Sequence, residues 1–278
     1  MTATCVIGRV VGRVAAGVVL VLTLALPCAA VTSTTDYGDL WYNAPAESQS
    51  GWGVNIAHQG DILFATLFVY GQDTRPHWYV ASSVSATSGN AFSGQLFDVG
   101  SGTYFGAPWT GISGARTVGN IAFTFDSATT GSMTYTVDGV QVTKSIVRQT
   151  WRGDVLSGIY VGAVNGFGAT CGNNGRIRIP GALVVTHTPP SFLMTLDFAV
   201  SATQTGRCTY RGNYAQTGSF GTVLGTYSCD VNGVVNAVTG TITLDEIRAT
   251  RNGFTGRIAV VSPQCDYAGY FGGVKDSF

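Results

Sequence analysis

Residues 51–70, GWGVNIAHQGDILFATLFVY, constrain this chain more than any other stretch. Two apolar runs of β character flank Gln59-Gly60, and glycine accepts the positive φ that a two-residue loop requires. The segment is expected to be a hairpin. With Gln59-Gly60 as its loop, His58 faces Asp61, Ile56 faces Leu63, Val54 faces Ala65 and Trp52 faces Leu67. Trp52, Val54, Ile56, Leu63, Ala65 and Leu67 then share a core face. The other face sets Gly51, Gly53 and Asn55 against Phe68, Thr66 and Phe64, so that rings lie across bare backbone. Apolar residues on both faces of the second strand predict that it is covered on both sides, in a sheet that closes on itself or packs on another. His58 opposite Asp61 reads as a cross-strand ion pair beside the turn.

The rest of the chain agrees with strands. Charged residues are only 11% of the sequence, against about 25% in an ordinary soluble domain. The 38 glycines, with abundant Thr, Ser, Val, Tyr and Phe, point to many strands joined by tight turns. Met1–Ala30 reads as a secretory signal peptide. Arg9 and Arg13 form the basic front, residues 14–26 the apolar middle, and Pro27-Cys28-Ala29-Ala30 the cleavage region. Setting it aside leaves roughly 248 residues with a net charge of about −2, room for one large or two small β domains. That balance gives no sign of a nucleic-acid or anionic-membrane partner.

Cys171, Cys208, Cys229 and Cys265 follow the leader, and four cysteines allow three connectivities. The midpoint of Cys208 and Cys229 falls at Gly218-Ser219, inside the turn-like AQTGSF. A hairpin centred there puts those two on facing positions, so Cys208–Cys229 and Cys171–Cys265 are the expected disulfides. Disulfides suit a secreted or periplasmic protein. A metal site would want a C-x-x-C or clustered histidines, and the sequence offers neither, so no metal or cofactor is expected.

Taken in order, residues 39–43, the two arms of the hairpin, and residues 76–82, 92–99 and 118–126 read as strands. Asp138-Gly139 then turns a further hairpin whose Met133, Tyr135, Val137, Val140 and Val142 share one face. Residues 100–115, rich in Gly and aromatics, form the loop candidate of this half. Residues 150–155 are the junction. Eight more strands are expected near 156–162, 182–186, 192–200, 208–214, 223–229, 240–246, 253–261 and 267–273. The fold class is all-β: two antiparallel meanders of about eight strands, over 36–150 and 154–278. Each is a small barrel of the avidin or lipocalin kind, or a sandwich.

The strings LWYNAPAESQSGWGVNIAHQGDILFATLFVY, HWYVAS, FSGQLF and GSMTYTVDGV, in that order, resemble a module of uncharacterised exported bacterial proteins. That family carries W-x-N-P-x-E-S-G-W-G-x-N, an H-Q-G turn and a T-Y-T-V-N/D-G-V hairpin. The second half, with its spaced cysteines and GTYSC, looks like the four-cysteine region of the same group. The likeness covers most of the mature chain. This sequence departs from it at Ala44 before Pro45 and in the added Gln49-Ser50. The resemblance implies topology and no activity.

No G-x-S-x-G elbow, H-x-x-x-H pair or phosphate loop is present. Adjacent Asp245 and Glu246 point to opposite faces of a strand and cannot act as a glycosidase pair. The aromatic residues carry the remaining signal. Trp41, Trp78, Tyr79, Tyr104 and Trp109 are the candidate ligand-binding rings, while Trp52 belongs to the core. The expected function is non-catalytic binding of glycan or cell-surface polymer. The alternatives are a small-molecule carrier with a barrel cavity, a protease inhibitor or protein-interaction module with one protruding rigid loop, and an outer-membrane barrel.

Overall fold

The computed structural model describes residues 35–276; the leader expected over Met1–Ala30 lies outside them. The described chain forms β1 (Asp39–Asn43), β2 (Gly53–Gln59), β3 (Ile62–Tyr70), β4 (Pro76–Ser88), β5 (Ala91–Asp98), β6 (Ser101–Gly102), β7 (Ile112–Ser113), β8 (Arg116–Phe125), β9 (Thr130–Val137) and β10 (Val140–Arg148). It continues with β11 (Gly158–Phe167), β12 (Arg176–Thr188), β13 (Ser191–Ala199), β14 (Thr205–Thr217), β15 (Phe220–Val231), β16 (Val234–Thr250), β17 (Gly253–Val261) and β18 (Tyr267–Lys275). Two closed antiparallel barrels result. One runs β1-β10-β9-β8-β5-β4-β3-β2, the other β11 through β18 in sequence, and β6 pairs with β7 as a separate ribbon. The all-β expectation of two eight-stranded units holds, and both units are barrels rather than sandwiches.

Eight strands enclose an interior that side chains can fill, and here they do. Trp41, Leu63, Leu67, Phe92, Phe123, Phe125 and Met133 pack the first barrel; Leu183, Met194, Leu196, Tyr210, Val223 and Leu244 pack the second. In β8 the inward phase runs Ile121, Phe123, Phe125, then shifts at a bulge opposite Leu96 and Phe97, so that Val118 also points inward. The glycines let the sheets coil this tightly. A Cβ on Gly225 would lie 1.8 Å from the Arg211 carbonyl oxygen of the neighbouring strand.

The opening hairpin forms, with a register different from the expected one. Its loop is Gly60-Asp61, flanked by the Gln59–Ile62 pair, so His58 faces Leu63, Ile56 faces Ala65 and Val54 faces Leu67. Gly60 takes the first loop position with φ 63, the conformation a glycine supplies there. The shift moves partners by two residues and leaves the inward face unchanged. His58 therefore does not pair across the turn with Asp61. Its Nδ1 accepts the Tyr37 N–H at 3.0 Å and lies 3.7 Å from Asp36 Oδ1, while Nε2 is 2.9 Å from the Gly60 carbonyl oxygen. A backbone N–H can only donate, so Nδ1 is the acceptor and Nε2 carries the proton. Nor is β3 covered on both sides: Phe64, Phe68 and Tyr70 are exposed on the outer wall of a single-layered barrel.

Disulfides join Cys208 to Cys229, a directly facing pair on β14 and β15, and Cys171 to Cys265. The first follows from the 218–219 turn. The second ties the β11–β12 loop to the β17–β18 loop.

The barrels meet through Arg148, the last residue of β10. Its guanidinium lies between the rings of Trp41, 4.7 Å away, and Phe220 of the second barrel, 4.5 Å away. It donates to the carbonyls of Ala128, Gly38 and Asp36 and to Asp39 Oδ2. Asp39 Oδ2 in turn accepts from the N–H and Oγ of Ser219 in the 218–219 turn. A cation this deep is tolerable because four of its five N–H groups have an acceptor and a carboxylate balances the charge. Around it, Asp36 pairs with Arg248 at 2.6 Å and Thr35 donates to Glu246. Burial raises the Asp36 carboxyl, yet the Gly38 N–H and Arg248 outweigh it and hold the group below the usual carboxylate range. Gln216 fixes the connection by accepting from Asp154 N–H and donating to the Arg152 carbonyl.

Candidate functional site

Strand direction puts the 44–52, 71–75 and 99–115 loops and the 138–139 turn at the end of the first barrel away from Arg148. The 99–115 segment is the longest of these. Rather than an irregular loop it is a braced ribbon. Ser101 and Ser113 pair across β6 and β7 and their hydroxyls lie 3.0 Å apart. Thr103 Oγ1 accepts the Thr110 N–H at 2.9 Å and meets the Thr110 hydroxyl at 2.6 Å. The Ala107 N–H closes the tip on the Tyr104 carbonyl. At the base, a Cβ on Gly100 (φ 68) would meet the Ser113 carbonyl oxygen at 2.2 Å, so only glycine lets the two legs run this close.

Arg116 clamps that base. It forms a bidentate pair with Asp138 and stands 3.8 Å from Asp98, linking the strand that enters the ribbon to the strand that leaves it. The hydrogen bond from Arg116 holds the Asp138 carboxyl below its ordinary range and pushes the guanidinium up. Both groups are in water, so the pair positions the ribbon more than it stabilises the fold.

The ribbon holds three large rings away from the barrel. Tyr104 is 66% exposed, Phe105 94% and Trp109 71%. Tyr104 and Phe105 lie 4.5 Å apart between ring centres, and the edge of Trp109 lies 3.7 Å from where a Cβ on Gly102 would stand. A second aromatic pair lies on the outer wall, where Trp78 of β4 directly faces Phe68 of β3, both exposed. β4 is paired with β5, the strand that runs into the ribbon.

The candidate rings thus divide. Tyr104, Trp109 and Trp78 are exposed at or beside this end. Tyr79 points inward at the mouth, half-buried, stacked at 6.5 Å on His77; burial first, then Asp98 and Asp138, push its phenol up. Trp41 is corrected outright. It is wholly buried, its Nε1–H bonded to the Tyr37 carbonyl and its face covered by Arg148. The short strand β1 carries it inward because its two neighbours, β2 and β10, close the barrel there. Trp52 is half-buried against the core and covered by Lys144. Phe105 and Phe68 belong to the exposed set and were not singled out by sequence. The signal for Phe105 was its place beside Tyr104 in the glycine-rich segment.

Titratable groups do gather at this end: Arg116 holds Asp138 and Asp98, and Tyr79 lies beside them and His77. His77 pairs with Asp73 at 3.2 Å on the surface, and His187 is buried in the other barrel. Among the described residues no cluster of three or more His, Cys, Asp or Glu is arranged to hold a metal ion. No family model matches the chain, and no curated protein matches it either.

Proposed function

We propose that this chain is an exported binding protein that takes glycan or cell-surface polymer on the rings of the first barrel's open end. One observation carries the reading: Tyr104, Phe105 and Trp109 are held in water on a braced ribbon. Leaving a large apolar side chain exposed forgoes about 1.5–3 kcal/mol of burial per ring, and rings set out rigidly this way are the usual contact groups of binding faces. The two disulfides fit an oxidising compartment. Among the described residues no helix is long and apolar enough to cross a membrane. The likeness to exported bacterial proteins belongs to the same proposal.

The barrel interiors weigh against two alternatives. A carrier needs a cavity, and inward positions here are filled by buried side chains. A transmembrane barrel has a polar lumen and an apolar band outside, whereas these interiors are apolar. Protein recognition is favoured by a specific observation, since the ribbon is a protruding and rigid loop. A glycan array and a pull-down from the host's envelope, each run with the native chain and with Trp109→Ala, separate the two. Sugar binding that the substitution removes supports the proposal. Capture of a protein with an empty array moves the protein-interaction reading ahead of it.

A further inference from the structure

The far end of the second barrel carries a different kind of surface. Asn165 and Phe167 of β11 alternate with buried Val164 and so face outward. Across the ladder Asn165 faces Arg178 and Phe167 faces Arg176, both on the outer side of β12. The loop between these strands arches over them and brings Asn173 and Asn174. Together these residues line an open cleft of about 890 Å³.

Three features make this cleft a built site. The loop is fixed, by Cys171–Cys265 and by bonds from Gly168 N–H to the Gly175 carbonyl and from Cys171 N–H to the Gly168 carbonyl. Asn173 and Asn174 both hold positive φ, 56 and 54, which fixes where their Cα–Cβ bonds leave the loop. The polar groups are unspent. Among the described residues neither Arg176 nor Arg178 has a carboxylate within ion-pair distance, and the side-chain amides of Asn165, Asn173 and Asn174 make no hydrogen bond. Arg116, Arg207 and Arg257 each hold an acid on the same kind of outer surface, while among the described residues Arg211 on β14 is unpaired like Arg176 and Arg178; the pair in the cleft differs from it in standing two residues apart beside three amides.

We propose that this cleft binds an acidic sugar residue of a polysaccharide. Two guanidinium forks fit a carboxylate or sulfate in a planar, bidentate manner. Asparagine amides both donate and accept, which is what ring hydroxyls need. The exposed face of Phe167 offers a surface for the sugar ring. A bare inorganic anion would leave the amides and the ring without a role. A nucleic acid would call for a long basic stripe, and this chain's formal net charge is zero. The site is independent of the ribbon, on another barrel and with other chemistry.

The test uses the full, disulfide-bonded protein and oligogalacturonate as the probe, with neutral dextran and single-stranded DNA as comparisons, by titration calorimetry. Oligogalacturonate binds and dextran does not. Arg176→Ala and Arg178→Ala each weaken it at least about tenfold. Arg178→Lys does not restore it, because the fork is lost. Melting temperatures are unchanged, since both side chains are in solvent. Trp109→Ala on the ribbon leaves this binding intact, which separates this proposal from the one above. The proposal falls if the native protein ignores oligogalacturonate, if the arginine variants bind it equally well, or if DNA binds as tightly with a steep loss near about 0.5 M salt.

Discussion

His187 shows what one residue can cost this fold. Its two ring nitrogens are buried without a hydrogen-bond partner, between Tyr214 at 4.2 Å and Phe192 at 6.3 Å ring to ring. Ser157 bonds its backbone rather than its ring. Burial pulls the imidazole below its ordinary range. A depressed folded-state value means that the unfolded chain takes up the proton first. The stability is therefore complete above about pH 6.5 and is lost as pH falls toward the folded value. His187→Phe should melt higher than the native chain, by an amount that grows between about pH 8 and pH 5. Parallel curves for the two proteins over that range would refute the assignment. Asp36 acts lower, near the carboxylate range, so the two effects separate on the pH axis. Gly225 makes a second residue-scale prediction. Its missing Cβ would meet a backbone carbonyl that cannot step aside. Gly225→Ala should therefore cost about 1–3 kcal/mol, read as a lowered denaturation midpoint at unchanged slope.

Among the elements, the ribbon and the opening hairpin show what sequence could tell. Periodicity found both arms of the hairpin and its inward face, because Val54, Ile56, Leu63, Ala65 and Leu67 alternate cleanly. It could not choose between Gln59-Gly60 and Gly60-Asp61 as the loop, since the two frames differ by two partners and preserve every face. The same logic misplaced the outer side of β3: apolar residues there suggested a covering layer, and the barrel supplies none. The ribbon was legible as a loop rich in rings. Its bracing was not, because it rests on hydroxyl pairs such as Thr103–Thr110 that no period announces. Trp41, on an expected strand, and Trp109, in the expected loop, both stood as candidate rings and end up in opposite environments. That difference is made by strand pairing far along the chain. Since the Trp109 ring is mostly in water, Trp109→Ala should leave stability within about 0.5 kcal/mol while removing ligand binding. A fall in melting temperature beyond that would mean the ring is structural.

For the whole molecule, Arg148 decides whether two barrels behave as one body. Sequence marked a junction near residues 150–155 but gave no hint that the preceding arginine would be its centre, because its partners come from residues 36–41, 128 and 220. Removing one member of a buried ion pair typically costs about 3–5 kcal/mol. Arg148→Met should also leave the Asp39 carboxylate without its cation, with Ser219 as its remaining cross-barrel donor. Calorimetry of the native protein should show one unfolding transition, and of the variant two, one for each barrel. A single unchanged transition in the variant would mean the barrels are coupled elsewhere.

Each barrel also closes on its own first strand: β1 finds β10, and β11 finds β18. The pairing that closes either barrel joins residues about a hundred positions apart, so its loop-closure entropy is large and folding should be slow for its size. A chain delivered amino end first would hold β1 as an open edge until Arg148 arrived. The residue that later joins the barrels is thus also the one whose arrival ends the first barrel's exposure to misassembly.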